Sequence, residues 1–325
     1  MTRVALVLNP ASPRSGAALD AVERSCAGAG LEPPLLLRTS VAETGAAQAR
    51  EALAAGVDRV VVAGGDGTVR MVAGVLGEGG HPGQVLGRTV LGVVPSGTAN
   101  LFARGLGLPM RDLRRAAGVA VTGPAHPVDL GRAELVDRSG ASTVHPFLVV
   151  VGLGHDADTL AALDTRLKER VRWLAYVEPG LRRLARPGRP VTLSVDGEVE
   201  QTEDLWSLLA VSSARLPLGA RIVSAARPDD GLLHVVLVAP RGLTDWARVV
   251  RTGLGGRHTA HPALRYRQGR LLTVRPTESA LVQVDGDVMA DIVRARITLD
   301  PGAVPVAVPP SAAPPPSPPA RSRPS

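Results

Sequence analysis

Three loops, each at the end of a short apolar run, carry the residues best suited to chemistry. Val60-Val61-Val62-Ala63 runs into Gly64-Gly65-Asp66-Gly67-Thr68, and then into an apolar-periodic stretch of Val69, Val72, Val75 and Leu76. Glycines let the backbone approach a phosphate closely, and a helix start offers it unpaired N–H groups and a positive dipole end. A carboxylate in such a site repels phosphate unless a divalent cation or a proton donor lies between them. Asp66 therefore points to a metal–nucleotide complex; the plainer reading is a tight turn with a capping aspartate. A second run, Val90–Val94, leads to Pro95-Ser96-Gly97-Thr98-Ala99-Asn100, and the first, Val4–Leu8, leads to Asn9-Pro10. At the carboxyl ends of parallel strands these loops converge on one crevice, where ligands of such folds bind.

The elements that hold these loops alternate. Strands at Val4–Leu8, Leu35–Leu37, Arg59–Ala63 and Val90–Val94 are separated by helical patterns at about 17–28, 46–55, 68–76 and 99–106. Short, nearly all-apolar strands between helices predict a parallel sheet covered on both faces, a Rossmann-like α/β domain over 1–127. From 128 to 308 the pattern changes to strands and turns: Val128–Val136, Phe147–Val151, Val191–Val195, Leu208–Val211, Leu233–Val238, Leu271–Val274, Leu281–Val284 and Val293–Leu299. Asp196-Gly197 and Asp285-Gly286 are hairpin signals. This half reads as largely antiparallel, with helical excursions near 156–186 and 242–254. Residues 309–325 contain eight prolines and are expected to be disordered.

Composition narrows the classes. With 45% hydrophobic and 21% charged residues, the 325-residue chain fills a core without staples. One cysteine, Cys26, excludes an internal disulfide and a cysteine-rich metal site. No apolar run approaches the ~18 residues of a membrane span, and the first strand is too short for a signal peptide, so an intracellular protein is expected. Lys168 is the single lysine, far from any phosphate-type loop, which excludes a Walker A site. The two asparagines, Asn9 and Asn100, both fall in the candidate nucleotide loops.

The two loops 64–68 and 95–100, with the order of the halves, resemble the diacylglycerol kinase catalytic family of soluble bacterial lipid kinases, related to sphingosine and ceramide kinases. Further matches are Val128-Asp129-Leu130-Gly131, Gly152-Leu153-Gly154-His155-Asp156-Ala157, Asp229-Asp230-Gly231-Leu232-Leu233 and Gln283-Val284-Asp285-Gly286-Asp287. The resemblance implies an α/β domain of NAD kinase/diacylglycerol kinase type followed by a β-sandwich, and transfer of a phosphoryl group from ATP to a lipid hydroxyl between them. It implies that Asn9, Thr39, Gly64, Gly65, Asp66, Gly67, Thr68, Arg70, Gly97, Thr98 and Asn100 line the nucleotide. Asp287, with Asp66, would be catalytic, Asp287 as general base for the alcohol. Mg²⁺ is expected at the Asp230 carboxylate and the carbonyls of Arg227 and Leu232.

The chain departs from the family at several points. Asp287 stands where the family usually has glutamate, and Val195-Asp196-Gly197-Glu198 offers the preferred residue type in a similar turn. Asp287 is favoured because it follows the Asp-Asp-Gly turn. His155 replaces an aromatic and reads as a packing residue, Arg172 replaces a glycine, and 212–219 lacks a glycine-rich stretch. Residues 166–189 hold eight basic groups against two acidic ones, with Trp173 and Tyr176 among them. That pattern suits an anionic membrane surface, giving a cytoplasmic, peripherally membrane-associated enzyme; a solvated helix face is the plainer account. Nucleic acid is disfavoured, with aromatics at 2% and no nucleic-acid motif. A homodimer stays open. An NAD kinase, which shares the Gly-Gly-Asp-Gly loop, is opposed by the absence of an Asn-Glu pair. Two more readings fit these departures: a sphingoid- or ceramide-type lipid kinase, and a catalytically impaired regulator that binds nucleotide or lipid.

Overall fold

The computed structural model describes residues 2–78, 89–155, 157, 186–213, 223, 226–255 and 261–310. Most of the basic 166–189 segment, Arg172, Asp156, residues 214–219 and the tail from 311 lie outside the described residues. Among the described residues, no helix is long and apolar enough to cross a membrane.

The first half forms as its pattern requires. Strands β1 (Val4–Leu8), β2 (Leu35–Arg38), β3 (Arg59–Gly64) and β4 (Val90–Pro95) pair in parallel in the order β4-β3-β1-β2. Alternate side chains of β1 serve two cores. Ala5 and Val7 face α2 (Ala46–Ala54) and α3 (Asp66–Leu76), which contribute Ala49, Ala52, Val69 and Val72. Val4, Leu6 and Leu8 face α1 (Ser15–Gly28) and α5 (Leu113–Thr122), through Ala18, Val22, Ala117 and Val121. Helix α5 was not expected from the pattern. Asp112 caps it, accepting the Arg115 N–H at 3.0 Å. The expected helix at 99–106 is shorter, α4 at Leu101–Gly105, because Asn100 before it is left-handed, with φ 47°.

The second half is an antiparallel β-sandwich. One sheet contains β7 (Val150–Gly154), β10 (Ser207–Val211), β11 (Leu233–Val238), β12 (Leu264–Gly269) and β14 (Ala280–Val284). The other contains β5 (Ala125–Asp137), β6 (Ser142–Phe147), β8 (Arg189–Val195), β9 (Gln201–Leu205), β13 (Leu271–Pro276) and β15 (Asp287–Ala307), and the two are continuous through the pairing of β14 with the start of β15. Leu153, Leu208, Val235 and Val282 from the first meet Leu135, Leu193, Leu272 and Ile297 from the second. Helix α6 (Leu243–Gly255) corresponds to the expected excursion near 242–254.

Three departures from the sequence pattern have physical causes. The run Phe147–Val151 is two strands, because the N–H groups of Leu148 and Val149 turn aside to the Asp285 carboxylate at 2.7 and 3.0 Å. Polar β9 and β12 were not expected as strands; Arg265 and Arg267 of β12 pair with Glu203 of β9. Strand β15 is three times the expected length and bends where its register with β5 shifts between Asp300 and Val304. Its far end enters the parallel sheet, Val306 pairing with Leu91 of β4.

Candidate active site

The loops after β1, β3 and β4 meet as their strand order requires. Gly65 and Gly97 touch backbone to backbone: a Cβ on Gly97 would lie 2.5 Å from the Gly65 Cα. The Ser96 and Gly97 N–H groups both donate to the Gly64 carbonyl at 3.2 Å. Asn100 Nδ2 donates to the Gly97 carbonyl at 2.8 Å, closing the second loop on itself. Asp66, the first residue of α3, accepts the Phe102 N–H at 3.1 Å, so its carboxylate ties the two loops together. Burial pushes the Asp66 carboxyl up, against the pull of the backbone N–H groups of residues 100–102. Thr68 is buried, its hydroxyl lying 3.2 Å from where a Gly64 Cβ would stand. Asn9 makes a local turn, Oδ1 accepting the Ala11 N–H at 3.0 Å, and the Thr39 N–H donates to the Leu8 carbonyl at 3.0 Å. Asn9 sits beside the 64–68 loop, its N–H donating to the Ala63 carbonyl at 3.0 Å, while Thr39 stands one strand further out at the end of β2.

A cavity of about 450 Å³ opens beside Gly97, Thr98 and Asn100 and is rimmed by Arg14, Arg104 and Arg111. Ser96 Oγ on its wall is buried with no partner among the described residues. Three guanidinium groups and an unspent hydroxyl fit a polyanion such as a nucleotide phosphate chain. Sequence reasoning missed Ser96 and the three arginines; their proximity to loop 95–100 was the available signal. Arg14 is anchored by bonds to the Pro95 and Met110 carbonyls.

The β14–β15 hairpin brings a second group of charges to the loops. Asp285 and Gly286 form its turn with φ 47° and 96°, a conformation glycine accepts freely and aspartate tolerates. The buried Asp285 carboxylate accepts N–H bonds from Leu148, Val149 and Val150 at 2.7, 3.0 and 2.8 Å. Burial nonetheless pushes it up to about 6. Asp287, two residues on, has a largely exposed side chain and meets Arg70 of α3 at 2.5 Å. Arg70 is 5% exposed, and its Nη1 donates to the Val284 carbonyl at 2.8 Å. His145 of β6 lies within electrostatic range of both; burial, then Arg70, pulls its pKa down, against Asp287. Neither Asp285 nor His145 stands out as a functional residue in the sequence.

The Asp-Asp-Gly turn is a separate cluster. Asp230 accepts N–H bonds from Arg227 and Leu232 at 3.0 and 2.9 Å and faces His234 Nε2 at 2.9 Å. Asp229 is held well below the usual carboxylate range by His126 at 2.7 Å, helped by the Arg227 side chain. Burial pushes Asp129 up to about 6 although it accepts the Gly231 and Gly302 N–H groups. His234 pairs with Val211, Val211 with Val150, and the Val150 carbonyl accepts the Asp285 N–H. At ~4.8 Å per strand the turn stands about 14 Å from the hairpin, beyond direct contact with a phosphoryl group there. Asp230 Oδ2 already carries the Arg227 N–H and His234, so a Mg²⁺ at the expected Asp230, Arg227 and Leu232 site would have to displace His234 or use the lone pair left on Oδ1 beside the Leu232 N–H. Among the described residues, no cluster of three or more acidic, His or Cys side chains has metal-site geometry. Asp66, whose carboxylate likewise carries backbone N–H groups, would meet a divalent ion only in the other mode, in which one carboxylate shares it with substrate phosphates.

The remaining candidates lie elsewhere. Glu198 is on the β8–β9 hairpin, exposed, 3.9 Å from Arg267, with Asp196 beside it fixed by the Arg270 and Leu271 N–H groups. His155 is buried, 5.5 Å from the Trp206 ring, with Nε2 3.1 Å from the Pro187 carbonyl.

Comparison with known proteins falls on the same architecture. Residues 3–133 match the diacylglycerol kinase catalytic domain, and residues 149–308 match the YegS C-terminal NAD kinase beta sandwich-like domain. The chain is 27% identical to the diacylglycerol kinase of Bacillus subtilis over 74% of each chain. It is 28% identical to that of Staphylococcus carnosus, over 74% of this chain and 73% of the relative. A diacylglycerol kinase structure from Bacillus anthracis superposes with a TM-score of 0.68 at 20% identity, over 96% of this chain and 98% of that one. Yeast NADH kinase complexed with NADH gives a TM-score of 0.52 at 11% identity, over 94% of this chain and 82% of that one, a likeness of fold.

Proposed function

Because the chain belongs to the diacylglycerol kinase catalytic-domain family, we propose that its cleft transfers the γ-phosphoryl group of ATP to the hydroxyl of diacylglycerol or a related lipid alcohol. The observation that carries the reading is the meeting of the two glycine loops with an exposed carboxylate, Asp287, presented on the hairpin paired to α3. Phosphoryl transfer needs charge neutralisation and an oriented nucleophile more than covalent assistance. Gly64, Gly65, Gly67 and Gly97 leave backbone room for phosphates, and the start of α3 adds its dipole. Asn9, Thr39, Thr68, Thr98 and Asn100 shape the surrounding wall, while Ser96, Arg14, Arg104 and Arg111 offer donors beside it. A divalent ion held by Asp66 with the nucleotide would neutralise charge on the phosphates. Asp287 accepts the proton of the lipid hydroxyl as the alcohol attacks phosphorus and ADP leaves. Asp285, fixed by three N–H groups, holds the hairpin that presents it.

Peripheral contact with an anionic bilayer through segment 166–189 belongs to the same proposal. Co-sedimentation that ignores the anionic lipid content of vesicles would remove that part. The central test is phosphate transfer from labelled Mg-ATP into a mixed lipid extract by the wild type, Asp287→Asn and Asp66→Asn. A labelled lipid made by the wild type and lost in both variants supports the kinase, and chromatography identifies the acceptor. Nucleotide binding without a labelled product from diacylglycerol, sphingoid or isoprenoid alcohols would refute it.

A further inference from the structure

Helix α3 buries Thr68, Val69, Arg70, Val72, Ala73, Gly74, Val75 and Leu76, a nearly continuous run in which Arg70 is the only charge. Burying a guanidinium is costly before its partners return anything. An apolar side chain at that position would serve packing without that cost. The partners are specific: Nη1 donates to the Val284 carbonyl at 2.8 Å and Nη2 to Asp287 Oδ2 at 2.5 Å. Both lie on one hairpin more than 200 residues away, on either side of the Asp285-Gly286 turn. Asp287 itself needs no rescue from burial, since 62% of its side chain is exposed. The geometry therefore spends a buried cation on orienting a carboxylate that water could solvate.

We propose that Arg70 is a positioning residue for Asp287: it fixes one carboxylate oxygen and leaves Oδ1 for the attacking alcohol. The length relation supports this. Aspartate is one methylene shorter than glutamate, and the long arginine on α3 reaches out to meet it. Arg70 also stands three residues beyond Gly67, so the helix that begins at the glycine loop carries the group that aims the base. His145, on β6 against the same helix, lies within electrostatic range of Arg70 and Asp287, and burial with Arg70 disfavours its charged form. Arg70 Nε is buried without a partner among the described residues, so the guanidinium is held through its two Nη atoms alone.

The inference rests on Asp287 being the base, and the experiment separates the two ideas. ATP affinity by calorimetry, with kcat and KM for the lipid, is measured for Arg70→Gln, Arg70→Lys, Asp287→Asn and the double variant Arg70→Gln/Asp287→Asn. The expected result is a kcat fall of about 10²-fold in Arg70→Gln, the usual penalty for ~1 Å of misplacement, with ATP affinity within about threefold. Arg70→Lys recovers at least tenfold of that loss, because the ammonium still reaches the hairpin. In the Asp287→Asn background Arg70→Gln costs less than about threefold, since its effect passes through the missing carboxylate. A drop in ATP affinity with kcat unchanged would make Arg70 a nucleotide ligand and overturn the proposal. An undiminished 10²-fold cost in the Asp287→Asn background would overturn it too. Full activity of Asp287→Asn alone would instead remove the base assignment on which it rests. Melting curves identify any loss that comes from unfolding.

Discussion

Gly97→Ala is the sharpest test of the glycine loops, because its clash is with backbone. The new Cβ would lie 2.5 Å from the Gly65 Cα and 3.1 Å from its nitrogen, against an ordinary contact of 3.4–4 Å. No rotamer relieves this, so the loops must part by about 1 Å. The two N–H bonds to the Gly64 carbonyl are already 3.2 Å long and would break first. At about 1 kcal/mol each, the cost to folding is about 2 kcal/mol, within the 1–3 of overpacking, and the protein still folds. The functional cost is larger if both loops hold one ligand, as proposed: a displacement of ~1 Å predicts a loss of about 10²-fold in kcat/KM. Gly67→Ala is the control. Nothing lies within 4 Å of its Cβ, and in the first turn of α3 alanine should match or raise stability by up to about 1 kcal/mol. Calorimetric titration with Mg-ATP and steady-state transfer would be measured on both. Gly97→Ala within threefold of wild type would refute the contact argument. Gly67→Ala that folds but no longer binds nucleotide would show that a phosphate itself, rather than the neighbouring loop, demands glycine there.

Burial holds Asp129 and Asp285 near 6, above the ~3.9 of an unfolded chain, so the fold retains protons that the unfolded state releases. Their contribution is full below about pH 4 and is lost as pH rises through 6. The unfolding midpoint should fall between pH 5 and pH 7.5, and Asp285→Asn should flatten part of that slope in calorimetric scans. Phe147→Ala, which empties a fully buried site against Gly131, should cost about 3–5 kcal/mol in urea titrations. Without nucleotide, chelator should leave the unfolding midpoint within about 2 °C of its value in Mg²⁺; a larger rise with Mg²⁺ would show an ion displacing His234 from Asp230.

The parallel sheet was legible because its strands are buried on both faces and read as unbroken apolar runs. The glycine loops were legible because Gly97 comes too close to the Gly65 backbone for any side chain. Helix α5 escaped notice because Arg114, Arg115 and Gly118 interrupt its apolar repeat, while the signal that fixes it, Asp112, is a single cap. Strands β9 and β12 escaped because their alternation is written in charges, satisfied only across the pair. Asp287 and Glu198 were separable only by family order: both follow an Asp-Gly turn, and a local reading treats them alike. What distinguishes them is the partner, Arg70 for one and Arg267 for the other, and such pairings are invisible to local pattern. The break at Leu148–Val149 is of the same kind, decided by Asp285 from far along the chain.

Strand β15 explains how two halves of different architecture keep one site aligned. It leaves the hairpin at Asp287, crosses the sandwich beside β5 and β13, bends near Gly302, and ends paired with Leu91 of β4. The strand that starts with the proposed base therefore ends in the sheet whose loops form the proposed nucleotide site. Apolar packing runs along the same route: Val72 and Leu91 from the first half share one core with Leu148, Val211, Val236 and Val304 from the second. A hinge between the halves would have to break ladder bonds and open that core, which costs more than substrate binding commonly returns. Adjustments of the site are then expected in the loops and in the Arg70–Asp287 contact. A charged contact between α3 and the hairpin can change its partner by a rotamer shift while the frame behind it stays fixed.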